Sequence, residues 1–200
     1  NAAGITQSSS GGLNYSNKFG NKLQLTGSYF FSRSRMDLDQ SNFQQSFFPG
    51  DSAADQSSLT SSRNINQNHR FTTRLEYTID SSTSLLLIPS LTIQHSQSGS
   101  LDSTSTDAIK GTNRYLAITG ITQNSNERNG LSLNNNLLFR KRFKLPGRTI
   151  TIGINSSINN SNGNGTNFSP LQFYSETGVP DSLYMQGLQN TQRTKSTNNV

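Results

Sequence analysis

Apolar residues in this chain recur at every second position, and that period limits what it can fold into. Successive residues of a strand face opposite sides, so such a run is a strand with one apolar face. In the first run Gly11, Leu13 and Tyr15 share a face. After a turn at Asn17-Lys18-Phe19-Gly20-Asn21, the second sets Leu23, Leu25, Gly27, Tyr29 and Phe31 against Gln24, Thr26, Ser28, Phe30 and Ser32. The third sets Phe71, Thr73, Leu75, Tyr77 and Ile79 against Arg70, Thr72, Arg74, Glu76 and Thr78, and Asp80-Ser81-Ser82-Thr83 turns the chain. The fourth puts Leu85, Leu87, Pro89, Leu91 and Ile93 opposite Leu86, Ile88, Ser90, Thr92 and Gln94. Pro89 has no amide donor, which predicts a bulge or a broken ladder there. The fifth alternates Leu131, Leu133, Leu137 and Phe139 with Ser132, Asn134, Asn136 and Leu138. A turn at Lys144-Leu145-Pro146-Gly147-Arg148 leads to the sixth, where Ile150, Ile152, Ile154 and Ile158 oppose Thr149, Thr151, Gly153 and Asn155. A seventh is expected from Arg193, and no amphipathic helix is found.

The connections alternate in length. The three turns named above are short, whereas polar stretches near 34–65, 97–128 and 161–192 read as long loops, the second carrying a short apolar piece, Tyr115-Leu116-Ala117-Ile118, suited to a loop strand. A soluble sandwich gives no reason for every loop at one end to be tight and every loop at the other long. A transmembrane β-barrel does, with short periplasmic turns and long extracellular loops. The expected fold is therefore all-β: an antiparallel transmembrane barrel segment of six to seven meandering strands, residues 1–200 forming one domain of a larger barrel. Tyr15, Phe19, Tyr77, Phe139 and Phe143 lie beside the short turns and Tyr29, Phe31 and Phe71 beside the long loops, as two interfacial girdles would. The alternative for these aromatics is an ordinary sandwich core.

Composition points the same way. Ser, Asn, Thr and Gln make up 90 of the 200 residues and apolar types only 30%, too few for a conventional packed core. A disordered chain of that hydrophobicity would carry more charge than 14% and more than 5 Pro. No run approaches the roughly 18 apolar residues of a membrane helix, but barrel strands need only alternate apolar residues. The chain begins at Asn1 without a basic-apolar leader, so a secretion signal is expected to be cleaved or to lie upstream.

Chemistry is sparse. With no Cys, thiolate metal sites, disulfides and cysteine nucleophiles drop out. His69 and His95 have no partner at metal-ligand spacing and read as polar residues at strand ends, and no G-x-S-x-G elbow is present. Neither catalysis nor a cofactor is expected. The carboxylates Asp37, Asp39, Asp51, Asp55, Asp102 and Asp107 fall in the long stretches, as solvated loop residues or as loop calcium ligands. Asn162-Gly163-Asn164-Gly165 lacks the Lys-Ser/Thr of a phosphate loop and reads as turn chemistry. Of the +6 net charge, only Arg140, Lys141, Arg142, Lys144 and Arg148 cluster; beside a short turn they suit lipid phosphates better than nucleic acid, which is not an expected partner. Arg70, Arg74 and Glu76 are expected to face the lumen, as part of a pathway, as contacts to an internal domain or as a structural ion pair. Leu86 and Ile88 break the polar-inside rule, which an internal domain packed against them would explain. Phe43, Phe47 and Phe48 are the aromatic candidates for ligand capture, with a loop cluster of their own as the alternative.

Several stretches carry a family likeness: Gly11-Gly12-Leu13-Asn14-Tyr15 with Leu25-Thr26-Gly27-Ser28-Tyr29-Phe30, Asn68-His69-Arg70 with Leu75-Glu76-Tyr77, and Leu133-Asn134-Asn135-Asn136-Leu137-Leu138-Phe139-Arg140-Lys141-Arg142-Phe143 with Pro146-Gly147-Arg148-Thr149 and Asn159-Asn160-Ser161-Asn162-Gly163. By these the chain resembles, over nearly its whole length, the Bacteroidota outer-membrane β-barrel proteins allied to TonB-dependent receptors. The resemblance implies location in the outer membrane of a Gram-negative bacterium, outer-membrane lipid as solvent, further strands and a plug domain of the same receptor as partners, and a TonB-type energising complex acting through regions outside this chain. It implies ligand uptake without naming a substrate. Asp51-Ser52-Ala53, Asp102-Ser103-Thr104 and Asp181-Ser182-Leu183 are similar to O-glycosylation sites of such bacteria. The reading set against transport is a structural or adhesive surface protein, a barrel or a β-solenoid; the irregular spacing of the strands argues against the solenoid.

Overall fold

The structure, a computed structural model, describes residues 2–199, with side-chain surroundings for 4–198. Seven strands follow one another, β1 (Ala2–Phe19), β2 (Leu23–Phe48), β3 (Ser52–Asp80), β4 (Thr83–Lys110), β5 (Asn113–Arg142), β6 (Thr149–Tyr174) and β7 (Pro180–Asn199). They form one antiparallel sheet in chain order, the all-β meander of a barrel wall. The sheet is open: β1 and β7 each pair on one side only. Turns at 20–22, 81–82 and 143–148 mark what is called here the near end, where the sequence predicts them; those at 49–51, 111–112 and 175–179 mark the far end.

Opposed residues of an antiparallel pair share a face. Leu13, Tyr29, Phe71, Leu91, Leu133 and Ile158 are successive cross-strand partners, so one apolar row crosses six strands. Leu25, Leu75, Leu87, Leu137 and Ile154 make another row on the same face. Leu23, Tyr77, Leu85, Phe139 and Ile152 make a third beside the near-end turns. The opposite face carries Asn14, Ser28, Thr72, Ser90, Asn134 and Ser157. From the Phe19 row to the Gly11 row the apolar belt spans eight residues, about 27 Å along the strands and roughly 20 Å across a layer they cross at a 40° tilt.

No apolar side chain among the described residues is buried. The accessible surface is 13917 Å², against roughly 9,300 Å² for a compact monomer of this size, so the apolar face has no protein packed on it.

Three expectations change. The long stretches near 34–65, 97–128 and 161–192 are paired strands, not loops: β2 continues to Phe48, and β3 begins at Ser52 after a turn in which Gly50 (φ 82°) and Asp51 (φ 55°) take the left-handed region. A ribbon polar on both faces keeps its ladder hydrogen bonds but loses the alternation that marks a strand in sequence. Tyr115-Leu116-Ala117-Ile118 accordingly lies inside β5, with a bulge where Thr106 gives way to Asp107. For the same reason β7 starts at Pro180 rather than Arg193. Pro89 pairs with Asn135 on β5, while the β3 ladder is interrupted between Thr72–Ser90 and Leu75–Leu87 without a change of register. The ladder is thus broken on one side, and the bulge lies instead at Thr78/Asp80.

Candidate functional site

Four regions carry side chains beyond what the sheet itself needs: the outer edge of the apolar belt, the polar face behind it, the far-end hairpins and the near-end turn at Asp80.

At the belt's edge away from the near-end turns, Tyr29, Phe31, His69 and Phe71 form an aromatic band. Tyr29 and Phe71 have ring centroids 4.6 Å apart, Phe31 and His69 4.9 Å, and the Tyr29 hydroxyl is 2.9 Å from His69 Nδ1. His69 is thus part of the aromatic band, a role its sequence context does not announce; its odd position in β3, in step with Phe71, is the available signal. His95 bonds Asn129 Oδ1 at 2.6 Å and lies 3.8 Å from Glu127 Oε1.

The polar face holds Arg70, Arg74 and Glu76 on β3, as their parity predicts. Arg74 pairs with Glu76 two residues on. Arg70 lies between Phe30 and Thr92 and joins no ion pair among the described residues. Leu86 is opposite both Glu76 and Leu138, so the apolar exceptions on this face are neighbours. A groove of about 450 Å³ runs along the same face past Thr92, Gln94, Arg128 and Ser132.

At the far end Phe43, Phe47 and Phe48 are all exposed, but they sit on strand β2, not on a loop, and do not cluster. Phe43 and Phe47 share the face of the belt and Phe48 takes the other, because alternation along a strand separates neighbours. On the Phe43 and Phe47 face, Asp55 and Asp107 are directly opposed across β3 and β4. Arg114 joins them, with Nη2 2.9 Å from Asp107 Oδ2 and Nη1 3.1 Å from Asp55 Oδ2. Bonding to Asp107 raises the Arg114 pKa. Asp55 is 6% exposed and its Oδ1 has no hydrogen-bond partner. Nearer the belt, Asp37 accepts from Arg35 Nε at 2.7 Å and Arg63 Nε at 2.6 Å, and the Arg63 and then the Arg35 bond hold its carboxyl below the ordinary range.

The other carboxylates expected on loops are likewise on or beside paired strands. Asp102-Ser103-Thr104 lies within β4, where Asp102 accepts from Thr60 Oγ1 at 2.5 Å, so that triplet is not a free loop. No group of His, Asp or Glu suited to a metal ion is found among the described residues.

At the near end, Asp80 organises a turn that contains no glycine. Ser82 N and Oγ each donate to Asp80 Oδ1 at 2.7 Å and Thr83 Oγ1 to Oδ2 at 2.9 Å. Those bonds from Ser82 and Thr83 push the Asp80 pKa far below the carboxylate range. Lys141 closes over the turn, 3.6 Å from Asp80 Oδ2, and Arg142 Nη2 donates to Ser81 O at 3.0 Å. Part of the basic cluster therefore latches one hairpin to the next.

This geometry defines a class: an open antiparallel β-wall, apolar on one face and polar on the other. No protein-family model and no curated protein matches the chain. Among solved structures, the ferric preacinetobactin receptor BauA of Acinetobacter baumannii aligns at 7% identity and a TM-score of 0.18 over 98% of this chain and 44% of that one. The closed form of the ferric-catecholate import receptor Fiu of E. coli K12 gives 8% and 0.19 over 99% and 46%, so the chain spans less than half of either receptor. The translocator domain of autotransporter NalP from Neisseria meningitidis gives 8% and 0.15 over 84% and 75%. Superpositions this loose support no functional statement about this chain.

Proposed function

We propose that this chain is part of the wall of a β-barrel in the outer membrane of a Gram-negative bacterium, within an uptake receptor of the TonB-dependent type. Its far-end hairpins meet the ligand outside the cell, and its polar face lines the lumen next to an internal plug. The observation that carries the membrane part is the belt: apolar rows crossing up to six strands, bounded by aromatics, with no protein packed on them. Lipid is the solvent that accepts such a face. The uptake part rests on the family likeness of the sequence. In this reading the segment performs no catalysis, binds no nucleic acid and needs no cofactor.

The chain has no cysteine, so single cysteines report cleanly. In the intact barrel, a hydrophilic maleimide should label Asn134→Cys and spare its neighbour Leu133→Cys. Equal labelling of both would remove the membrane assignment. Capture is tested by replacing Phe43 and Phe47 together with alanine in the full receptor. Cell-surface ligand binding should fall by at least tenfold, as for a hot spot of about 2 kcal/mol, and unchanged binding would remove the capture role.

The length of the far-end ribbons favours a second reading, a surface protein used for adhesion. From Phe31 to Phe48, β2 runs on for about 55 Å beyond the belt. Dissipating the proton gradient of the inner membrane separates the two: ligand accumulation stops in a receptor, and adhesion is indifferent.

A further inference from the structure

Just beyond the aromatic band, the charges are sorted by face. The belt side carries Arg33, Arg35, Arg63 and Arg193 against Asp37, Asp39 and Glu127, whereas the polar face at the same height carries Arg128 alone. A lumen that attracts a charged ligand would place its cations on the other side. Here they stand over the lipid.

Two of these arginines are already arranged. Asp37 holds Arg35 and Arg63 by their Nε atoms, and no hydrogen bond among the described residues engages their terminal nitrogens. Two guanidinium forks held side by side by Asp37, with Asp39 unpaired to either of them on the same wall, suit a phosphate oxyanion, which each fork can grip in bidentate fashion. They line an open groove of about 620 Å³ whose other walls include Asp39, Ser61, Gly99 and Ser125. Arg33 lies below, between this groove and Phe31.

Height decides the kind of lipid. From the Phe31 row to the Asp37–Arg63 row is six residues, about 20 Å along the strand and roughly 15 Å above the hydrocarbon after tilt. A phospholipid headgroup region is only about 5–8 Å deep. A lipid whose phosphate is carried on a saccharide reaches that level, and hydroxyl and amide side chains in the groove suit sugar hydroxyls.

We propose that Arg33, Arg35 and Arg63, with Asp37 as their positioning carboxylate, bind the phosphorylated saccharide headgroup of an outer-leaflet glycolipid whose acyl chains lie on the Tyr29–Phe31–Phe71 band. The site rests on the membrane reading given above.

The test uses the intact barrel that contains these residues, in phosphatidylcholine nanodiscs, with fluorescent lipooligosaccharide and its dephosphorylated form as probes. Arg35→Gln with Arg63→Gln should weaken binding of the phosphorylated form by about tenfold or more, since each basic residue at a charged lipid surface contributes about fivefold. The dephosphorylated form should bind the unaltered chain no better than that variant binds the phosphorylated one. Arg128→Gln, at similar height on the other face, should change nothing. Where the double glutamine variant fails to fold, Arg35→Lys with Arg63→Lys keeps the charge and loses the forks, and several-fold weaker binding is expected. Equal losses at Arg128, no loss in either arginine pair, or complete displacement by millimolar inorganic phosphate, the mark of a free-anion site, would overturn the proposal. An intact barrel that enters nanodiscs without preferring the glycolipid defeats this site alone; one that does not enter them defeats the membrane reading itself.

Discussion

Leu91 and Thr92 are neighbours on β4 whose side chains belong to opposite faces of the sheet. Leu91 sits on the belt face in the Tyr29–Phe71 row, one row inside the belt's outer edge, and Thr92 pairs with Arg70 and Ser132 on the polar face. An arginine replacing Leu91 carries its charge onto the belt face inside the outer aromatic edge, at a cost between the roughly 0–1 kcal/mol of the interface and the roughly 2–4 kcal/mol of the midplane. At Thr92 it enters the groove on the polar face, with Arg128 farther along it and Arg70 directly opposite, and the like charge opposite costs roughly 0.2–1 kcal/mol. Reversible unfolding in lipid should therefore rank Leu91→Arg below Thr92→Arg; equal costs would put the register in error. Asp80 allows a second residue-level expectation. Its folded pKa is depressed, so the stability it adds is fully present above the ordinary carboxylate pKa of about 4 and is lost as pH falls toward the folded value. The stability gap between the unaltered chain and Asp80→Ala should be flat from neutral pH to about 5 and shrink in stronger acid. A gap as wide at pH 3 as at pH 7 would show that the carboxylate does not hold the turn.

Among the elements, the hairpins differ along their length, and this is where sequence and structure part. Beside the near end, β1 to β6 alternate apolar with polar residues, and their faces are legible from that alternation, those of Arg70, Arg74 and Glu76 included; β7 does not reach that end and carries no such pattern. Beyond Arg33, β2 continues as Ser34, Arg35, Met36, Asp37 and Leu38, with no regular change of polarity to reveal the pleat. The pairing there is specified by continuing a ladder begun elsewhere, information not contained in any short window. The same distance effect hid the Asp37 bridge, since Arg35 and Arg63 meet only because Asp37 and Arg63 are opposed across β2 and β3. His69 was legible only by parity with Phe71. The strand assignment has a direct consequence: backbone amides between Met36 and Gln45, bonded on both sides where β3 covers them and β1 reaches, should exchange with deuterium far more slowly than the turn at 49–51. Those beyond Gln40 have lost the β1 partner and should exchange at intermediate rates. Uniformly fast exchange from Arg35 to Asn64 would restore the loop.

For the whole molecule, the outstanding quantity is surface without a partner. The apolar rows are covered by nothing in the chain; Leu13 is 74% exposed and Ile152 and Ile154 are each half exposed. Contiguous apolar faces of this extent are not kept in water by a monomeric soluble protein. The two edges compound the problem, because β1 and β7 each present a row of free backbone donors and acceptors to any strand that approaches. In a bilayer both costs are met together: lipid covers the belt, and closure of the barrel pairs the edges. These residues, produced alone and refolded by dilution into buffer, should therefore sediment as polydisperse aggregate. Detergent micelles should cover the apolar face and shift them toward small, strand-rich species, with the edges still free to pair between copies. Sedimentation velocity with and without detergent, read beside circular dichroism, checks this. A monodisperse β-rich monomer in plain buffer would mean that the chain buries its apolar rows against itself, as a sandwich does, and the belt could not then be the face it turns to lipid.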